Sequence, residues 1–371
     1  MRSVGALAYG AAAKLEKPPI LPCTPATAID WFDFSQTYNP LGTPESFVAA
    51  MHAIGKEGVN VEQTEKALAE LPQLLAQHYG VGADNIAATG SPNEVLAATA
   101  EMLAPTAVGI PIPSRDTYRK LFAQAGHEIV NIVNPDGTVT PEPLPAHTGE
   151  RAIKAAVLSN PGFPTSRLLP RHTLRTYLST CDWVVVDERG IDLTLGGESV
   201  AEMVLDRPNL IVVASFTDTY SLPGLPLSCA IAHPATAARL RGALKAPSSP
   251  RLAAAFARLS IAHPELLERT RELCETEIPW MQCMLSLVPG ITIFPAEANY
   301  VMCSYAPGPN LHLGAADADE LVGKLQERGF LVRSLDRTPG IEAGTRFCVS
   351  VGTHSDNERF IEAIRGIVSH G

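Results

Sequence analysis

Short runs rich in valine, isoleucine and alanine, alternating with amphipathic stretches, constrain this chain more than any other feature of it. The runs are "AVGIPI", "EIVNIV", "KAAVLSN", "DWVVVDE", "NLIVVAS" and "LSCAIAH". Their composition is that of strands buried on both faces. Between them "PNEVLAATAEMLAP" and "RDTYRKLFAQAGH" read as helices, the second closing at Gly126. Strand and helix in alternation predict an α/β fold, a mainly parallel sheet wrapped by helices.

The pattern changes after the Pro/Ser-rich "KAPSSPR" at 245–251. Two long helical stretches follow, "RLAAAFARLSIAH" and "PELLERTRELCETEIPWMQCMLSLV". The last hundred or so residues then give "ITIFPAEANYVMCSY", a helix in "DADELVGKLQERG", the runs "FLVRSL" and "TRFCVSVG", and a final helix ending near Ser369. With 371 residues the chain exceeds the roughly 250–300 at which a single core stops growing. We therefore expect an N-terminal arm at 1–45, a large domain at 46–260 and a smaller C-terminal α/β domain at 261–371.

Charge and composition exclude several function classes. A net charge of −10 argues against a basic surface for nucleic acid, which leaves small molecules or other proteins as partners. No uninterrupted apolar run approaches the roughly 20 residues that span a bilayer, so no membrane contact is expected. In "MRSVGALAYGAAAKLEKPP" the charges at Lys14, Glu16 and Lys17 follow too soon for a signal peptide. Seven cysteines without a C-x-x-C pair suggest neither a disulfide framework nor a metal site, and point to reduced thiols in a cytoplasmic protein.

Motif order carries a further reading. "WFDFSQTYNPLGTP", "HYGVGADNIAATGSPNEVL", "LSNPGFPTS", "VVVDERG", "SFTDTYSLPGLPLS" and "FLVRSL…RFCVSVGT" follow one another over more than 300 residues. Together they resemble the fold-type-I pyridoxal-phosphate (PLP) enzymes, closest to histidinol-phosphate aminotransferase and threonine-phosphate decarboxylase. The resemblance implies a seven-stranded, mainly parallel sheet with helices on both faces and a smaller C-terminal domain. It also implies a biosynthetic homodimer whose cofactor sits on a lysine in a cleft between the domains.

Set against that family, key positions are changed. Asp218 stands where the lysine belongs, and a carboxylate cannot form an imine. Gly190 replaces the tyrosine and Phe163 the asparagine that meet the cofactor's phenolate, Arg115 the stacking aromatic, and Pro226 the phosphate-binding arginine. Cys348 replaces the arginine for the substrate carboxylate, although Arg346, two residues earlier, shares its strand face. Asp187, Asn160, Ser215, Thr217, Glu94 and Arg333 are retained.

These changes lead us to expect that Schiff-base PLP chemistry is lost and that no cofactor is bound. Asp218 and Asp187 are the candidate catalytic carboxylates, with burial separating their pKa values. Arg115, Asn160, Phe163, Ser215, Thr217 and Arg346 are the candidate ligand contacts, and no metal is expected. In a purely structural alternative Arg115 fills the vacated ring volume and pairs with both carboxylates, while Phe163 is apolar filling. Three functions stay open: a repurposed PLP-independent enzyme acting on a small polar metabolite, a non-catalytic binder of a metabolite or partner, and a non-covalent PLP binder. Lys245 is not expected to replace the missing lysine. His78 is expected at the surface or capping a helix, His354 in solvent, and Cys348 buried and inert.

Overall fold

The structure is a computed structural model that describes residues 31–133, 147–148, 151–225, 227–307 and 314–369. Seven strands form its central sheet, in the spatial order Ile86–Thr89, Ser228–Ala232, Leu210–Ser215, Trp183–Asp187, Ala155–Ser159, Ala107–Pro111, Glu128–Ile132. All neighbours are parallel except Ser228–Ala232, which runs antiparallel to both its partners. Each valine-rich run of the sequence supplies one strand. The period of two along a strand sends its residues alternately to opposite faces. Thus Val184 and Val186 join one core, with Leu75, Tyr177 and Phe256, whereas Val185 joins the other, with Leu96, Tyr118 and Phe122. Both faces are covered, as a parallel sheet requires.

Helix starts are marked locally. Ser91 caps Pro92–Met102 by accepting a hydrogen bond from the Asn93 N–H, and Pro92 opens the helix where its missing N–H costs nothing. The helix Asp116–Gln124 follows the strand Ala107–Pro111 and buries Tyr118 and Phe122.

A third core lies under a four-stranded antiparallel sheet, in the order Ile291–Ile293, Tyr300–Tyr305, Arg346–Ser350, Arg333–Ser334. The helices Glu265–Ser286, Ala318–Glu327 and His354–Val368 pack on it through Cys274, Leu321 and Phe360. Phe34 joins this core too, and the short strand Phe32–Asp33 pairs in parallel with Phe330–Leu331. A small apolar seam of Phe163, Tyr300, Met302, Ile341 and Cys348 brings the Asn160–Ser166 turn against this second sheet. Among the described residues no helix is long and apolar enough to cross a membrane, and no cluster of His, Cys, Asp or Glu is suited to a metal ion.

Candidate ligand-binding cleft

The cleft is built where the central strands end. Alternation along Trp183–Asp187 continues into the turn, so Asp187 points to the face of Tyr118 and Glu188 to the opposite face, toward Val200. Beyond them the chain reverses at Gly190, whose φ of +82° lies in the left-handed region. A tyrosine there would be strained by its backbone conformation, although a Cβ would meet nothing within 4 Å.

Asp187 is 1% exposed and fully engaged. Tyr118 Oη donates to its Oδ2 at 2.7 Å, and Arg189 grips it with Nε at 3.1 and 3.0 Å from the two oxygens and Nη2 at 2.6 Å from Oδ2. This is the fork-on-carboxylate geometry of a strong pair. Burial alone would raise the Asp187 pKa. The charge and hydrogen bonds of Arg189, with Arg115 and Tyr118 behind them, more than offset it and hold the group below the usual carboxylate range.

The guanidinium expected from Arg115 is therefore supplied by Arg189, a residue the sequence reading passed over. Arg115 stands just before the helix Asp116–Gln124, and its guanidinium carbon is 4.3 Å from the centre of the Phe163 ring. It forms no ion pair within direct contact of Asp187 or Asp218 among the described residues, although its charge still lowers the pKa of each. The proposed Arg115 bridge gives way to an Asp187–Arg189 pair because the turn that follows Asp187 brings both the backbone N–H and the guanidinium of Arg189 onto its carboxylate.

Asp218 lies in the single helical turn Phe216–Thr219 and is buried. Its carboxylate accepts no hydrogen bond from a described side chain. Burial raises its pKa; Arg115 and Arg189 pull it back, Asp187 adds to the rise, and the result stays above the usual value. The two carboxylates are thus driven apart, one fixed as an anion and one readier to hold a proton.

A cavity of about 240 Å³ opens beside them. Gly90, Ser91 and Pro92 contribute the start of the helix Pro92–Met102, Ser215 the end of the strand Leu210–Ser215, and Thr217 and Asp218 the helical turn after it. Arg115, Arg189, Arg333, Phe163 and Tyr38 complete its wall. The helix start presents N–H groups and the positive end of a dipole, which favours an anion. A larger cavity of about 390 Å³, lined by Asn39, Tyr220 and Arg269, contains none of the candidate catalytic or ligand-contact residues.

Other candidates fall elsewhere. Asn160 accepts from the Leu169 N–H at 2.9 Å and steadies the turn rather than lining the cavity. Arg346 lies against Phe294, its guanidinium carbon 4.7 Å from the ring centre, and likewise is not part of the wall. Glu94 accepts a hydrogen bond from the Thr89 hydroxyl. Burial pushes the Cys348 thiol up to about 12, which leaves it a neutral thiol. His78 is not a free surface group: its ring packs on Phe216 and its Nδ1 meets Ser260 Oγ at 3.3 Å. His354 is not simply solvated either, since its Nδ1 lies 3.0 Å from the buried Glu277. Pro226 lies outside the described residues.

Comparison with known proteins agrees with the fold. The profile of the family "Aminotransferase class I and II" matches residues 29–364. A histidinol-phosphate aminotransferase from Symbiobacterium thermophilum is 29% identical over 92% of each chain. A threonine-phosphate decarboxylase from Salmonella typhimurium is 27% identical over 91% of each. Among solved structures, the histidinol-phosphate aminotransferase of Clostridium acetobutylicum superposes with a TM-score of 0.78 at 17% identity, over 91% of this chain and 98% of that one. The enzyme of Sinorhizobium meliloti, solved in complex with pyridoxal-5'-phosphate, does so with a TM-score of 0.74 at 17% identity, over 91% and 90%. The expectation that no cofactor is used is corrected by these relatives, which point to pyridoxal phosphate.

Proposed function

We propose that this chain, which belongs to the class I and II aminotransferase family, binds pyridoxal phosphate in the cleft beside Asp187 and holds it by non-bonded contacts. The observation that carries this reading is the convergence of the Gly90–Ser91 helix start with the hydroxyls of Ser215 and Thr217 on one cavity. That set fits a phosphate group. The ring is less simply met, because the carboxylate for its nitrogen, Asp187, is held by Arg189. Binding then requires Arg189 to release Asp187.

When bound, pyridoxal phosphate supplies an electron sink for chemistry at an amino-acid α-carbon. The chain's own residues take the remaining tasks. Ser215 and Thr217 hold the phosphate, Asp187 orients the ring, and Asp218 holds or moves a proton at its carboxylate where the family places an amine. We also place the protein as a homodimer, as the family resemblance implies. A stable monomer in sedimentation at micromolar concentration would overturn that assignment.

Fluorescence titration tests the ligand. Pyridoxal phosphate should saturate the protein and bind at least tenfold more tightly than pyridoxal, since charge-assisted hydrogen bonds to an anion are worth about 1.5–3 kcal/mol. Ser215→Ala should remove part of that preference. Equal affinity for the two compounds would remove the phosphate site on which the reading rests.

A further inference from the structure

One carboxylate of the cleft is left unsatisfied by the protein. Asp218 is 9% exposed and lines the cavity, yet among the described residues its oxygens accept no hydrogen bond and meet no cation at ion-pair distance. The guanidiniums around it are engaged elsewhere. Arg189 grips Asp187, and Arg333 donates from Nε to Ser35 O at 2.9 Å. The guanidinium carbons of Arg115 and Arg333 lie 4.3 and 5.1 Å from the centre of the Phe163 ring. These arginines act on Asp218 through their charge alone, and burial outweighs them.

The turn that carries Asp218 is tied on several sides. Ser215 Oγ accepts from the Thr217 N–H at 3.2 Å, and the Asp218 carbonyl accepts from the Asn39 N–H at 2.9 Å. Asn39 Nδ2 donates to Thr219 O and, in the helix Glu265–Ser286, to Thr270 Oγ1, both at 2.8 Å. Thr219 Oγ1 donates to Asp192 Oδ2 at 2.9 Å. The unmet acceptors are thus held at the cavity wall. An ionised carboxylate offers acceptors only, and burying it without donors costs free energy. A ligand group with several donors and a positive charge removes that cost, whereas one with only another acceptor adds to it. A primary ammonium is of the first kind and an aldehyde oxygen of the second. An aspartate also ends short of where a lysine amine would end, which leaves room for a ligand nitrogen there.

We propose that Asp218 makes the cleft selective for the aminomethyl counterpart of pyridoxal phosphate, pyridoxamine phosphate, by pairing with its ammonium. A lysine at this position favours the aldehyde, with which it bonds; the aspartate of this chain reverses that order of preference. A bound ammonium in turn keeps Asp218 ionised. The inference deepens the reading of the cleft as a site for pyridoxal phosphate and rests on it.

Fluorescence titration of the full-length protein with pyridoxamine, pyridoxine and pyridoxal phosphates, which differ in one substituent, tests it. Pyridoxamine phosphate should bind about tenfold more tightly than pyridoxine phosphate, because a charge-assisted hydrogen bond replaces a neutral one. The hydroxymethyl group of pyridoxine phosphate also forms no imine with a lysine elsewhere, so it is the cleaner reference. Asp218→Asn should bring the two affinities together. Their ratio cancels the general effect of removing a negative charge on phosphate binding. Equal affinities in the parent protein, or an unchanged ratio in folded Asp218→Asn protein, would overturn the assignment. Should that variant fail to fold, the ratio in the parent protein decides. Binding without preference defeats this inference alone and leaves the phosphate site standing; binding of none of the three defeats the reading of the cleft as well.

Discussion

Arg189→Ala should lower the free energy of unfolding by about 3–5 kcal/mol and, in the protein that remains folded, tighten the binding of pyridoxal phosphate. The first effect follows from leaving Asp187 charged and buried without its cation, a loss that characteristically costs this much. Asp187 is 1% exposed and the Arg189 side chain 14%, so solvent does little to soften it. Tyr118 Oη at 2.7 Å and the backbone N–H of residue 189 at 3.2 Å remain as donors, and neither brings a charge. The second effect follows from the same bond. Any ligand whose ring nitrogen must reach Asp187 competes with Arg189, and removing the competitor removes that cost from binding. Ligand bound to the native state then restores stability by mass action. Urea unfolding with and without pyridoxal phosphate reads both effects at once. A double variant, Asp187→Asn with Arg189→Ala, should recover part of the lost stability, because no bare charge is left. A loss below about 1 kcal/mol in the single variant would mean that the pair does not hold this site together.

Glu188 should make the fold less stable as pH rises through neutrality. It is 2% exposed, accepts from Ser199 Oγ at 2.5 Å and from the Val200 N–H at 2.8 Å, and has no cation beside it among the described residues. Burial dominates and pushes its pKa up to about 7, against a usual value of 4.5. The folded state thus keeps a proton that the unfolded chain gives up. Stability from this group is fully present below about pH 4.5, falls as pH rises to 7, and is lost above it. The total is about 3 kcal/mol. Glu188→Gln copies the protonated form, with its amide able to donate to Ser199. The difference in unfolding free energy between parent and variant should therefore widen by about that amount between pH 5 and pH 8. Taking the difference cancels the other titrating groups. A parallel pair of curves across this range would show Glu188 to be an ordinary ionised carboxylate.

The inner strands of the sheet were legible because they are buried on both faces, which favours β-branched and small apolar residues; the edge strand Glu128–Ile132, with Glu128 and Asn131 exposed, is the exception. Runs such as "NLIVVAS" have few other fates. The antiparallel strand Ser228–Ala232 was not distinguishable as such, since its composition matches that of its parallel neighbours. At the cleft, the sequence pointed to Asp187, Asp218, Arg115 and Phe163, and the cavity brings Arg115, Phe163 and Asp218 to its wall, with Asp187 directly behind Arg189. Arg189 was not legible as the partner of Asp187 because the sequence of a strand end does not show how the turn after it folds. The nearer signal was local: an arginine stands in the turn two residues after the strand-end aspartate, within reach of its carboxylate. Glu188 was hidden for the complementary reason. Adjacent to Asp187, it faces the opposite layer, where only the three-dimensional packing shows that no cation among the described residues meets it. Arg346 was assigned by strand parity alone, and parity fixes a face without fixing what that face meets. Phe294 proved to be its neighbour.

A crystal structure of the protein grown with saturating pyridoxal phosphate tests the central claim most directly. The account expects the phosphate at the start of the helix Pro92–Met102, in contact with Ser215 and Thr217, the ring nitrogen facing Asp187, and Arg189 turned away from that carboxylate. A cleft without the ligand, with Arg189 still paired to Asp187 under the same conditions, would contradict it.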